Sequence, residues 1–206
     1  MTETPTRRSP VRRIVRRLWL GFAISVFALL SLCTAGVTSA VTSSPAPVGD
    51  VRTDVDRAIA DLVGDDPARA LADLPEGFAA TMGYRPVVED GRPVNPDGSC
   101  SSPIRLPARF EGLCRAHDFG YDLLRFGART GREPAPWARR ALDDMLVDAM
   151  HRACTNPLCD VAATVSDGGL TLNSWRQEWR APTRESTSDL ASSTLHRVVD
   201  VIGRRS

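Results

Sequence analysis

The chain has 206 residues, of which 42% are hydrophobic and 25% are charged, which is enough for one modest domain with extensions but not for two full domains. All 26 basic residues are arginine, and six of them lie before residue 18, against the single acidic residue Glu3. Residues 41–206 carry 20 arginines against 24 acidic residues, a formal charge of −4. Because a nucleic-acid-binding surface needs its positive charge on the folded domain, this distribution argues against a nucleic-acid partner.

The N-terminus has the pattern of a membrane-targeting segment. Residues 1–17 contain the six arginines, and residues 18–37 then run for 20 positions without a charge. Since arginines resist crossing a bilayer, residues 1–17 are predicted to be a cytoplasmic tail and the rest of the chain to lie outside the cytoplasm. Residues 18–40 fit two structures equally well, a retained transmembrane anchor or a signal peptide cleaved after Ala40.

The remainder of the chain predicts an all-α domain. Residues 41–50 are small, polar and proline-rich, which is typical of a linker, and residues 85–107 contain seven prolines and glycines, which predict a loop. No segment of any length alternates apolar and polar residues as a strand would. Helices are predicted over 51–63, about 107–128, about 136–153, within 154–169 and over 186–201.

The cysteines of the predicted exported part suggest disulfide bonds. An even number of cysteines in an oxidising compartment is typical of a disulfide-stabilised domain. The four cysteines are Cys100, Cys114, Cys154 and Cys159. They allow three pairings, and closeness in sequence favours Cys100–Cys114 and Cys154–Cys159.

Each of the two long predicted helices places one titratable side chain on its apolar face. At 100° per residue, His117 lies in the middle of the apolar face of the first helix, and Asp143 shares a face with Leu146 and Met150 on the second. The short connection predicts antiparallel packing, and because a lone buried carboxylate is costly, His117 is the expected partner of Asp143. Such an imidazole can act as a general base towards water, although a purely structural His–Asp pair gives the same pattern.

The sequence around His117 resembles a known catalytic motif. Residues 114–121 read Cys-Arg-Ala-His-Asp-Phe-Gly-Tyr, which resembles the C-x-x-H-D-F-x-Y motif of secreted phospholipases A2, most of all the small α-helical prokaryotic and fungal type. The second helix is similar to the family pattern R-I-D-x-x-F-x-x-D-M-x-x-x-C. Asp143 stands at the position of the histidine's partner, and Leu146 replaces the aromatic residue.

The resemblance implies a role for each of these side chains. In the family, the histidine activates the attacking water and the aspartate directly after it binds calcium. His117 is therefore the expected general base and Asp118 an expected calcium ligand. Asp143 is expected to orient His117. The position of Tyr121, one turn after His117, fits either a hydrogen bond to Asp143 that supports the site or a core tyrosine with a solvated hydroxyl.

Calcium is the cofactor that the resemblance implies. A hard cation held by oxygen ligands would stabilise the oxyanion that forms during ester hydrolysis. In the family, an acidic residue and a backbone carbonyl just before the cysteine complete the site; here residues 95–100 read Asn-Pro-Asp-Gly-Ser-Cys, so Asp97 and Gly98 are the expected ligands. Asp97 lies three residues before Cys100, whereas the relatives have the acidic residue two before, so this loop departs from the family pattern.

The resemblance therefore implies calcium-dependent hydrolysis of a phospholipid acyl ester outside the cytoplasm. It assigns residues 96–160 to a phospholipase A2-like domain of a monomer that meets a phospholipid membrane surface, with residues 51–95 and 161–206 as helical extensions. The alternative is a non-catalytic, membrane-anchored cell-envelope domain on the same scaffold, which draws support from the altered loop, the retained anchor if residues 18–40 are not cleaved, and the two extensions.

Overall fold

The structure is a computed structural model that describes residues 49–102, 105–183, 192–194, 196–197 and 200–201. The predicted cytoplasmic tail and membrane segment, residues 1–17 and 18–40, lie outside these ranges, as does most of the linker 41–50. Within the described ranges, no helix is both long enough and apolar enough to cross a membrane.

Helices form most of the described chain, as the sequence predicts. The α-helices are α1 (Asp54–Val63), α2 (Phe78–Met82), α3 (Glu111–Thr130), α4 (Ala138–Ala153) and α5 (Pro157–Arg176), with 3-10 turns at Pro67–Leu71 and Ala108–Phe110. The predicted last helix over 186–201 lies partly outside the described ranges, and its described residues from 192 onward are helical.

One predicted loop contains a small β-sheet, which corrects the all-α prediction. Strands β1 (Val87–Glu89) and β2 (Arg92–Val94) pair antiparallel within the segment 85–107. They are joined by Asp90 and Gly91, both at positive φ (48° and 76°), which is the backbone that a two-residue Asp-Gly hairpin turn requires. The Asp-Gly pair is a hairpin signal, but strands of three residues are too short to show alternation.

Helix α5 is longer than the short helix predicted within 154–169. It begins after Asn156, whose side chain accepts a hydrogen bond from a backbone N–H of the first turn, and Pro157 occupies that turn. The helix then continues through the glycine pair 168–169. Adjacent glycines weaken a helix by local propensity, and here the packing of α5 against α4 overrides that weakness.

The larger hydrophobic core joins α1 and α2 to α3 and α4. Its buried side chains include Val55, Ile59, Leu62, Phe78, Phe119, Leu123, Phe126 and Leu142. Residues 51–95 therefore supply part of the core around α3. A smaller cluster lies where the start of α3, the end of α4 and α5 meet, and it contains Phe110, Cys114, Leu146, Met150, Cys159 and Ala163.

Helices α3 and α4 pack antiparallel and at close range. Gly120 of α3 faces Leu142 of α4, and a Cβ on Gly120 would lie 2.3 Å from a methyl carbon of Leu142. His117 lies almost one turn before Gly120 and contacts Asp143, which follows Leu142. Helices α3 and α4 therefore run in opposite directions. The glycine therefore allows the two helix faces that carry the titratable side chains to meet.

Two disulfide bonds form with the pairing that closeness in sequence favours. Cys100 pairs with Cys114, which ties the loop before α3 to the first turns of that helix. Cys154 pairs with Cys159, which joins the end of α4 to the start of α5. The prediction of a disulfide-stabilised helical domain is confirmed.

Replacing Ile59 by alanine tests whether α1 belongs to the same cooperative core as α3. Ile59 is fully buried, so Ile59→Ala should lower the free energy of unfolding by about 2–5 kcal/mol, because it leaves a cavity. Leu158→Ala is the control, since its side chain is 82% exposed and its loss should change the free energy by less than about 0.5 kcal/mol. Denaturant unfolding followed by circular dichroism gives both values; a wild-type free energy for Ile59→Ala would contradict a shared core.

Candidate active site

A buried histidine–aspartate pair bridges α3 and α4. The Nε2 atom of His117 lies 3.0 Å from Oδ1 of Asp143, and the two residues are only 5% and 6% exposed. When Nε2–H donates to the carboxylate, Nδ1 keeps its lone pair. The pair therefore has the geometry of a general base with a fixed tautomer.

Two hydroxyl groups complete the surroundings of Asp143. The Tyr121 hydroxyl donates to Oδ1 at 2.6 Å, and the Ser174 hydroxyl donates to Oδ2 at 2.6 Å. Burial, and next the negative charge of Asp143, raise the pKa of Tyr121 above its ordinary value, so this hydroxyl stays protonated and donates. Both oxygens of Asp143 are thus hydrogen-bonded.

A buried arginine donates a hydrogen bond to Ser174. Arg139 is 1% exposed, and its Nε donates to the Ser174 hydroxyl at 2.9 Å. Neither residue is among those that the sequence predicts for the site. Arg139 lies four positions before Asp143 and so shares its helix face, which is a usable signal, whereas Ser174 lies beyond the predicted end of its helix.

His117 and Asp118 line an apolar groove of about 550 Å³ between α3, α4, α5 and the loop before α3. The apolar side chains of its walls are Leu106, Leu146, Met150, Val165 and Leu170. Serine hydroxyls, Arg125 and Asn173 supply the polar part of the lining. A pocket of this size, mostly apolar with a few polar groups on one side, suits an amphiphilic ligand.

The loop before α3 brings backbone oxygen atoms and Asp118 together. Oδ2 of Asp118 accepts the Ser99 N–H at 3.0 Å, and a Cβ on Gly98 would lie 2.7 Å from that same Oδ2 and 3.1 Å from the Asn95 carbonyl oxygen. Only glycine fits here without displacing a neighbour. The space beside Gly98 is therefore bordered by a carboxylate and a carbonyl.

Asp97 stands differently from the other two predicted ligands. It is exposed, and its backbone N–H donates to the Asn95 side chain at 2.9 Å. Across the part of the chain that the structure describes, no group of three or more His, Cys, Asp or Glu side chains is placed to hold a metal ion. A cation beside Asp118 would therefore draw on backbone carbonyl oxygens.

A buried network fixes this loop to α3. The Asn95 side-chain amide and the Tyr84 hydroxyl both donate to Oδ2 of Asp122 at 2.9 Å, and Arg125 donates to Oδ1 at 2.7 Å. The Asn95 N–H also donates to the Arg115 carbonyl at 3.0 Å. The sequence does not predict this network, because Tyr84 and Asn95 lie 38 and 27 residues before Asp122.

Comparisons of the chain with protein-family models, with curated proteins and with solved structures give no match. The chemistry of the site therefore follows from its own geometry and from the motif in residues 114–121.

Asp118 carries its charge in surroundings that disfavour it. Burial raises the pKa of Asp118 above its ordinary value of 3.8, and the Ser99 N–H and His117 offset only part of that effect. The folded state disfavours the ionised form of Asp118. The free energy of unfolding should therefore fall as the pH rises through the raised pKa of Asp118. Without calcium, Asp118→Asn should therefore raise the Tm at about pH 7, and the gain should vanish below the ordinary pKa.

Thermal unfolding across this pH range, in chelator, measures the difference between Asp118→Asn and wild type. The asparagine keeps an oxygen that accepts the Ser99 N–H, so the comparison isolates the charge. Asp97→Asn, which changes an exposed carboxylate of the same loop, is the control and should shift the Tm little. A lower Tm for Asp118→Asn at neutral pH would show that the charge is not penalised.

Proposed function

We propose that the protein is a calcium-dependent hydrolase of phospholipid acyl esters, similar in mechanism to secreted phospholipases A2, and that it acts outside the cytoplasm. The observation that carries this proposal is the buried His117–Asp143 pair on the wall of an apolar groove, with Asp118 beside it on the same groove. The two disulfide bonds support an oxidising compartment.

The pair supplies a base at the groove wall. Nδ1 of His117 takes a proton from a water molecule, and the resulting hydroxide attacks the ester carbonyl carbon. Asp143 stabilises the imidazolium that forms, and the tetrahedral intermediate then breaks its bond to the alcohol oxygen. His117 returns the proton to that oxygen, so the products are a fatty acid and a lysophospholipid.

The residues near Gly98 suit a calcium ion. When bound, calcium would supply positive charge for the substrate phosphate and for the developing oxyanion. Asp118 and the carbonyls of Asn95 and Gly98 would hold it, since all of these offer the hard oxygen atoms that calcium prefers. Asp97 remains a predicted ligand; its side chain is exposed at the same turn of the loop.

Exposed apolar side chains on α5 support the proposal that the protein binds a membrane surface. Four apolar side chains on this helix are more than half exposed, namely Leu158, Val161, Val165 and Leu172. At 100° per residue they lie within about 60° of one another, so they form a single stripe. Val165 also lines the groove, so a lipid could pass from a bilayer into the groove along apolar surface.

Fatty-acid release from mixed phospholipid vesicles tests the activity directly. The full-length protein should release fatty acid in calcium and not in chelator, and His117→Ala should lower the rate by about 10²–10⁴-fold because the base is lost. His151→Ala is the matched control, since His151 is exposed, pairs with Asp160 and does not line the groove. Circular dichroism should show the same helix content in all three proteins.

The results separate the two candidate functions. Undiminished release by His117→Ala would reject the mechanism. No release by a folded, oxidised wild-type protein from any of the vesicles would favour the non-catalytic cell-envelope domain.

A charge on the apolar stripe tests the membrane surface separately from the groove. Leu172 is 58% exposed and does not line the groove, so Leu172→Asp should lower the rate on vesicles about tenfold while leaving the rate on a dispersed short-chain phospholipid unchanged. Val88→Asp, which changes an exposed apolar residue of β1, is the control. An equal loss on both substrates would contradict a membrane-binding role for the stripe.

A further inference from the structure

We propose that Ser174 and Arg139 are positioning residues that hold Asp143, and through it His117, in the catalytic arrangement. They form a buried chain that runs from the guanidinium through the hydroxyl to the carboxylate. Neither residue is placed to touch the substrate, since both are buried and neither lines the groove. The role of this chain in turnover rests on the proposed function, whereas its effect on the His117–Asp143 hydrogen bond does not.

In the two hydrogen bonds that link Arg139, Ser174 and Asp143, the chemistry of the side chains determines which group donates. A guanidinium can only donate, so the Ser174 oxygen accepts from Nε of Arg139 at 2.9 Å. The single hydroxyl proton of Ser174 is then directed to Oδ2 of Asp143 at 2.6 Å. The hydroxyl therefore has one orientation, and it is the one that holds the carboxylate.

Ser174 is the donor that fixes the plane of the Asp143 carboxylate. His117 and Tyr121 both bind Oδ1, so together they leave the carboxylate free to pivot about that oxygen. A donor on Oδ2 removes this freedom. With the plane fixed, Oδ1 stays in line with the Nε2–H bond of His117 and keeps the ring in one tautomer.

The guanidinium of Arg139 is costly where it stands. It is 1% exposed, and an apolar side chain would fill the same position without the desolvation of a charge. Its planar group lies 5.2 Å from the centroid of the Tyr121 ring and is linked to Asp143 through Ser174. An arginine therefore adds hydrogen bonds to Ser174 and to the turn after α5, together with a cation–π contact to Tyr121, none of which an apolar side chain would supply.

Arg139 also holds the end of α5, which carries Ser174. Its Nη1 donates to the Gln177 side-chain oxygen and to the Arg180 carbonyl. Between these two contacts, Glu178 and Trp179 adopt positive φ values of 58° and 59°, a conformation that non-glycine residues keep only where their surroundings impose it. The same side chain thus fixes the hydroxyl of Ser174 and the turn that follows it.

Ser174→Ala is the decisive variant. It should lower kcat on vesicles by roughly tenfold to a hundredfold with KM unchanged, because a hydrogen bond to a buried charged group is lost away from the substrate. Thr164→Ala is the matched control, since it removes a hydroxyl from the same helix that bonds only the Asp160 carbonyl on an exposed face. Calcium should stabilise the wild-type protein and both variants equally, because Ser174 is not part of the loop before α3.

A spectroscopic measurement makes the test independent of catalysis. The Nε2 proton of His117, bound to a carboxylate, should give a low-field proton resonance coupled to the imidazole nitrogen. In Ser174→Ala this resonance should move upfield or broaden, whereas Thr164→Ala should keep it. The resonance is assigned by its absence in His117→Ala and its persistence in His151→Ala, since His151 also pairs with a carboxylate, that of Asp160.

Arg139→Met tests whether the arginine acts through Ser174. Alone, it should lower kcat and shift the low-field resonance in the same direction as Ser174→Ala. Combined with Ser174→Ala, it should add less than twofold, because the two residues belong to one chain of hydrogen bonds. Independent, multiplying losses would overturn the linkage.

Two outcomes in Ser174→Ala decide between a positioning and a structural role for Ser174. An unchanged resonance and an unchanged kcat in Ser174→Ala, even with a lowered Tm, would overturn the positioning role and leave Ser174 structural. A shifted resonance in Ser174→Ala, with no activity in the wild type, would support the positioning of His117 and reject the proposed function instead.

Discussion

Asp143 is almost fully buried, and a carboxylate in that position is stable only when its oxygens are hydrogen-bonded. The donors come from two other helices, His117 and Tyr121 from α3 and Ser174 from α5. Arg139, on the same helix as Asp143, holds the hydroxyl of Ser174. The relative placement of the three long helices is therefore tied to the hydrogen bonds of one side chain.

This arrangement depends on how closely α3 and α4 approach. Gly120 has no side chain, so Leu142 packs directly against the backbone of α3. A larger residue at position 120 would push the helices apart and lengthen the contact between His117 and Asp143. The cost of a glycine inside a helix is offset by this packing and by the hydrogen bonds that it makes reachable.

The loop before α3 is held in place on both sides, and Asp118 is left with an unfavourable charge. The Cys100–Cys114 bond fixes one end of the loop, and the hydrogen bonds of Asn95 to Asp122 and to the Arg115 carbonyl fix the other. Burial raises the pKa of the Asp118 carboxyl, so ionisation of this side chain is disfavoured in the folded protein. Under the proposed function, bound calcium would offset this penalty and so stabilise the folded protein.

Features that depend on local periodicity and on short separations are predicted from the sequence alone. Helical spacing placed His117 and Asp143 on apolar faces, and closeness in sequence gave both disulfide pairs. The hairpin at Asp90-Gly91 had a local signal but strands too short to show a pattern. The packing of the helices adds the hydrogen bonds that run from Arg139 through Ser174 to Asp143, and the contact between Asn95 and Asp122. These contacts join residues on different elements, and helical periodicity fixes the face on which a side chain lies but not the neighbour that face will meet.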